Sequence, residues 1–152
     1  MTTDELPTGA VRAVHLRWSN LGLVAIGGAV GTAIREACAV RWPAPAGGFP
    51  LTILVINVVG AFALGLLLEL LARGGVDGGR RRAVRLLIGT GVLGGFTTYS
   101  TFATDSASLA GTSIGVSFAD VAATLILGIA ASTAGIAAGI LLHRRTRAQG
   151  AA

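Results

Sequence analysis

Lysine is absent from the 152 residues, and all twelve basic side chains are arginine. Charged residues of either sign reach only 12%, about half the share of a soluble domain. That shortage, with a mean hydropathy of +0.74, excludes an ordinary cytosolic globule and a disordered segment. A single cysteine, Cys38, excludes an intrachain disulfide and any Cys-x-x-Cys metal or redox site. Aromatics make up 5%, and no basic stripe is interleaved with them, which argues against a base-stacking nucleic-acid surface and for arginines that set topology and meet lipid headgroups. His15 and His143 lie outside the apolar runs. No spacing of Ser, His and Asp supports an enzyme. What is abundant is glycine, with 23 residues. Small residues let helices approach closely in a bilayer.

Four apolar runs predict four transmembrane helices. Residues 1–15 read as a polar tail, 16–143 as one membrane domain and 144–152 as a basic tail. The first helix is expected over 16–39. Trp18 and Trp42 flank it, about 36 Å apart along a helix, as interfacial anchors would be. Pro43 and Pro45 stop it. The second is expected over 51–72, opened by Pro50 and closed by Gly74-Gly75. The third, over 83–110, carries G-T-G-V-L-G-G-F-T-T-Y-S-T-F from Gly89 to Phe102. Gly94-Gly95 and the hydroxyl run at 97–101 are poor material for an unbroken helix. Mid-membrane, a broken backbone is tolerated only inside protein or a polar cavity. The fourth helix is expected over 118–142, opened by Asp120 and closed by Arg144, Arg145 and Arg147, an order that complements its dipole. Gly27 and Gly31, and Gly135 and Gly139, form G-x-x-x-G pairs, a weak sign of helix packing.

Polar groups inside a membrane need a partner or a function. Asn57 stands deep in the second run. Its amide suits an interhelical hydrogen bond, or a donor to an anion in a pore. Around Gly94, exposed backbone carbonyls suit a small cation, and a simple glycine kink is the structural alternative. Tyr99 and Phe102 share a helical face, and their ring edges carry partial positive charge.

These residues resemble a known family. G-G-A-V-G-T-A-I-R from Gly27 to Arg35, F-P-L-T-I-L-V-I-N-V-V-G-A-F from Phe49 to Phe62, and the Gly89–Phe102 stretch are similar to the Fluc/CrcB fluoride channels. The resemblance covers three of the four helices, and the third motif is the specific one. It implies an all-α integral membrane protein whose third helix breaks near mid-membrane, assembled as an antiparallel, dual-topology dimer with two fluoride pores. It implies that Asn57 donates to the ion, and that Phe102 and the aromatic at 99 turn their ring edges to it. Ser100 and Thr101 would continue a polar track, with Ser132 or Thr133 as further members. Arg35 would stand near the pore vestibule. The carbonyls of Gly94 and Thr97 would hold a structural, untransported Na⁺. Two positions depart from the pattern: Tyr99 replaces the usual Phe, and Thr52-Ile53 replaces Gly-Thr before Asn57.

If both termini share one side, ten arginines lie there and only Arg35 and Arg41 lie opposite. The positive-inside rule then puts both termini in the cytoplasm of a plasma-membrane protein. So strong a bias suits a subunit of fixed orientation, paired with an oppositely oriented paralogue rather than with itself. The expected function is passive fluoride export. The rivals are a four-helix, dual-topology transporter of small cations or drugs, and a non-conducting partner subunit. The first wants an intramembrane carboxylate, whereas Glu36 and Glu69 sit near helix ends. Fluoride and the lipid bilayer are the expected partners, with no nucleic acid.

Overall fold

The computed structural model describes residues 18–43, 45, 49–73, 78–98, 103, 107, 111 and 114–149. The expected tail at 1–15 and the site residues Tyr99, Ser100, Thr101 and Phe102 lie outside the described residues. What is described is helical, in four elements. Helix α1 is Trp18–Arg41 and α2 is Leu51–Ala72. Helix α3 spans 79–96 in three consecutive parts, Gly79–Val84, Arg85–Leu93 and Gly94–Phe96. Helix α4 is Ile114–Gln149.

Three of these, α1, α2 and the Ile114–Arg145 part of α4, are long and apolar enough to cross a membrane. Helix α3 differs because Arg80, Arg81, Arg82 and Arg85 crowd its first turns. The exterior is apolar as well. Among the described large hydrophobic side chains only Ile53, Leu54 and Ile56 are buried, while Ile126 and Ile129 are 66% and 67% exposed. A water-soluble chain would bury such residues; this one offers them to lipid or to another subunit.

Helix α2 packs along α4, α1 packs along α3, and α2 also meets α3. Both glycine pairs lie at these seams. A methyl on Gly27 would overlap the Leu87 carbonyl oxygen and come within 2.9 Å of Gly91 Cα. One on Gly135 would overlap the Phe62 carbonyl oxygen, and one on Gly139 would lie 2.8 Å from Glu69 Cγ. Trp18, 84% exposed, opens α1. Trp42 follows the end of that helix, with the Arg41 guanidinium 5.5 Å from its ring, within cation–π range.

Several helix ends differ from expectation; α1, expected over 16–39, runs to Arg41, up to the residues before Pro43. Helix α3 starts at Gly79 rather than 83, because arginine is a good helix former. Gly79 itself has φ +52°, a left-handed value suited to glycine. Residues 85–93 form a π-helix, an i→i+5 ladder that hydropathy does not announce. Helix α4 begins at Ile114 rather than 118 and continues to Gln149 rather than 142. Nothing in 114–118 beyond Gly115 opposes helix, and the Arg-rich end favours it. Asp120 therefore sits in the second turn rather than at the opening, and it is buried, 1% exposed.

Candidate functional site

The helical ladder of α3 stops in mid-motif. Thr97 is extended, with φ −74° and ψ 149°. Its amide closes the last regular bond, to the Leu93 carbonyl at 2.9 Å. Its hydroxyl donates to that same carbonyl at 2.7 Å. The next ladder bond would run from the Thr98 amide to the Gly94 carbonyl. Instead, the Thr98 amide donates to Asn57 Oδ1 at 3.0 Å. Asn57 Nδ2 donates in return to the Thr98 carbonyl at 3.3 Å. The side chain from α2 thus clasps the backbone just past the end of α3. Thr98 is buried, 7% exposed, where a backbone amide needs a partner.

The clasp stands at one end of an open groove of about 630 Å³ between α2 and α3. Asn57, Gly60, Thr90, Gly94 and Thr97 line it, and Arg85 brings a positive charge. Three residues singled out in the sequence, Asn57, Gly94 and Thr97, therefore meet on one surface. Asn57 has two amide hydrogens, and Thr98 takes one of them in this geometry. The carbonyls of Gly94 and Thr97 lie at the C-terminal end of a helix, where the dipole is negative. Carbonyl oxygens in that position suit a small hard cation, so the residues present fit a sodium ion.

Other candidates stand apart. Arg35 is half-buried on α1, outside that groove. It lies one turn beyond Thr32, whose hydroxyl donates to the Gly95 carbonyl at 3.4 Å. Thr133 donates to the carbonyls of Ile129 and Ala130, at 3.1 and 2.8 Å, so its hydroxyl serves its own helix. Thr52 bonds the Trp42 carbonyl at 2.5 Å, tying the start of α2 to the end of α1. Ile53 is buried. The hydroxyl at 52 is thus engaged elsewhere, and the position nearer Asn57 is a core contact.

Gly60 is a position that the sequence reading passed over. It lies on the face of α2 opposite Thr97, and a methyl there would overlap Thr97 Cγ2. Only its three-residue spacing from Asn57 hints at this shared face. We expect Gly60→Ala to destabilise the fold by about 1–3 kcal/mol, the usual range for overpacking. Adding Thr97→Ser removes the offending methyl and keeps the hydroxyl, so the double variant should regain most of that loss in a thermal melt.

The sequence profile of the CrcB-like (camphor resistance) family matches residues 22–136. The chain is 52% identical over 133 residues to "Fluoride-specific ion channel FluC 2" of Leifsonia xyli subsp. xyli, covering 87% of this chain and 91% of that one. It is 44% identical over 126 residues to "Fluoride-specific ion channel FluC" of Agrobacterium fabrum, covering 79% and 95%. A shorter match, 61% over 80 residues, joins it to "Fluoride-specific ion channel FluC 1" of Cutibacterium acnes, covering 53% and 56%. The chain belongs to the CrcB family of fluoride-specific ion channels, which are not enzymes.

Proposed function

We propose that this chain forms a passive pore that lets fluoride leave the cell and so lowers its cytosolic concentration. The observation that carries this reading is the Asn57–Thr98 clasp on the groove where α3 ends. Fluoride is small and strongly hydrated. A pore must replace its lost water with donors, yet hold it weakly enough for release. An oriented amide and aromatic ring edges meet that compromise better than a full charge. In this reading Asn57, Tyr99 and Phe102 face the ion, Ser100 and Thr101 extend the polar path, and Arg35 draws anions to the vestibule.

The protein crosses the plasma membrane four times, and its third crossing is interrupted near mid-bilayer. The length of α3 supports this. Beyond Arg85 its apolar part covers residues 86–96, at most about 16 Å even at the α-helical rise, or about half of a bilayer core of about 30 Å. Two subunits pair in antiparallel fashion, with pores along their seam. The carbonyls of Gly94 and Thr97 hold a Na⁺ that is not transported. When bound, that ion lowers the cost of bringing an anion to mid-membrane. No ATP is required. Fluoride enters as neutral HF, dissociates inside, and is driven out by the inside-negative potential, worth about 2.3 kcal/mol per charge per 100 mV.

The ten-to-two arginine bias supports cytoplasmic termini and an oppositely oriented paralogue as partner. A reporter active only outside the cell, fused to the C-terminus, should stay silent, whereas a cytoplasmic reporter should be active. Equal signals from both would remove the fixed orientation. The channel reading is tested in cells lacking their own fluoride export. Producing this chain, with its paralogue where the pair is required, should restore growth in mildly acidic fluoride medium. Continued sensitivity, with the protein present in the membrane, would count against it.

A further inference from the structure

We propose that Asn57 is a positioning residue for the cation, because it holds the end of α3 open. The inference rests on the sodium reading above and extends it to a residue on another helix. In a regular helix the Thr98 amide would donate to the Gly94 carbonyl. Here Asn57 Oδ1 accepts that amide at 3.0 Å, and Asn57 Nδ2 holds the carbonyl of the same residue at 3.3 Å. The Gly94 carbonyl, which the Thr98 amide does not use, belongs to a residue that lines the groove together with Thr97.

The surroundings make the exchange decisive. Thr98 is 7% exposed, and the neighbouring face of α2 buries Ile53, Leu54 and Ile56. Among the described residues two acceptors suit the Thr98 amide: Asn57 Oδ1, which it uses, and the Gly94 carbonyl of a regular helical ladder. Removing Asn57 leaves the second. The helix then gains a turn-closing bond, Thr97 leaves its extended conformation, and the carbonyl pair is no longer presented. One side chain therefore links the two ions: its donor belongs to the anion path, and its acceptor keeps the cation carbonyls exposed.

The test reads cation binding rather than flux. The purified full-length protein is melted in detergent over a series of NaCl concentrations, with N-methylglucamine chloride keeping ionic strength constant. The native chain should gain thermal stability as Na⁺ rises. In Asn57→Ala the Na⁺ concentration for half of that gain should rise at least tenfold. The double variant Asn57→Ala/Thr98→Pro separates positioning from mere loss of packing. Proline has no amide to return to Gly94, and it keeps residue 97 extended. It should restore the Na⁺ response, and it carries the test alone if Asn57→Ala does not fold. An unchanged Na⁺ midpoint in Asn57→Ala would overturn the inference and leave the sodium reading intact. A double variant with no Na⁺ response would overturn it too. A native chain indifferent to Na⁺ would remove the sodium reading itself, and this inference with it.

Discussion

Asn57→Ala should slow fluoride efflux from liposomes by roughly 10- to 100-fold at saturating Na⁺. A hydrogen bond to a charged group contributes about 1.5–3 kcal/mol, and each 1.4 kcal/mol is about tenfold. Saturating Na⁺ limits the contribution of weakened cation binding. Asn57→Asp is the sharper variant. It keeps the acceptor oxygen for the Thr98 amide but removes the donor, and when ionised it sets a negative charge in the anion's way. It should pass less fluoride than Asn57→Ala. A spacer role for Asn57 predicts the opposite order, because aspartate keeps the size and alanine does not. The readout is initial efflux by fluoride electrode, with melting curves showing that both variants remain folded.

Gly91→Leu should prevent stable folding, at a cost of about 3 kcal/mol or more. Gly91 is buried in the α1–α3 seam, and a Cβ on it would stand 2.8 Å from Gly27 Cα and 3.0 Å from the Val24 carbonyl oxygen. These are backbone atoms of a facing helix. They cannot turn aside as a side chain can, so the two helices must separate. Overpacking that shifts backbone lies at the upper end of the usual range. Gly28→Ala is the matched control. A Cβ there meets nothing within 4 Å of its own chain, and alanine favours helix over glycine. Its melting temperature should be unchanged or slightly higher. Equal damage from both variants would mean that α1 and α3 do not meet along this seam.

The first two helices were readable because their ends are marked by chemistry that acts locally. Pro43, Pro45 and Pro50 stop and start helices through a fixed φ and a missing amide, and α2 occupies Leu51–Ala72. The ends of α3 and α4 were harder to read. Hydropathy marks where a segment leaves lipid, but an arginine-rich segment goes on being helical in water. Helix α4 accordingly runs through Arg144 and Arg145. The π-helical ladder at Arg85–Leu93 left no sequence mark. Within it Gly91 lies against Gly27 and Val24 of α1, a tertiary contact that periodicity does not reveal.

The site was legible in its residue types more than in its wiring. A carboxamide among apolar neighbours declares that Asn57 has a partner, but no periodicity names it. The partner is the backbone of Thr98, 41 positions away. The interhelical bond and the pore donor, which the sequence left as alternatives, are compatible, since one carboxamide has atoms for both. The weak helix formers expected at Gly94-Gly95 and in the hydroxyl run lie where the described part of α3 gives way to an extended Thr97. The bond from the Thr98 amide to Asn57 Oδ1, just past that point, has no local sequence signal.

Passive flow of fluoride across the membrane through this protein is open to direct measurement. Its most direct measurement is a fluoride electrode reading outside liposomes that hold the purified chain, alone and with its paralogue, in Na⁺ and without ATP. Valinomycin and a K⁺ gradient set a voltage that draws fluoride out. Prompt release on adding valinomycin, absent from protein-free liposomes and scaling with the amount of protein, is the predicted result. Fluoride retained under both protein conditions would contradict the account.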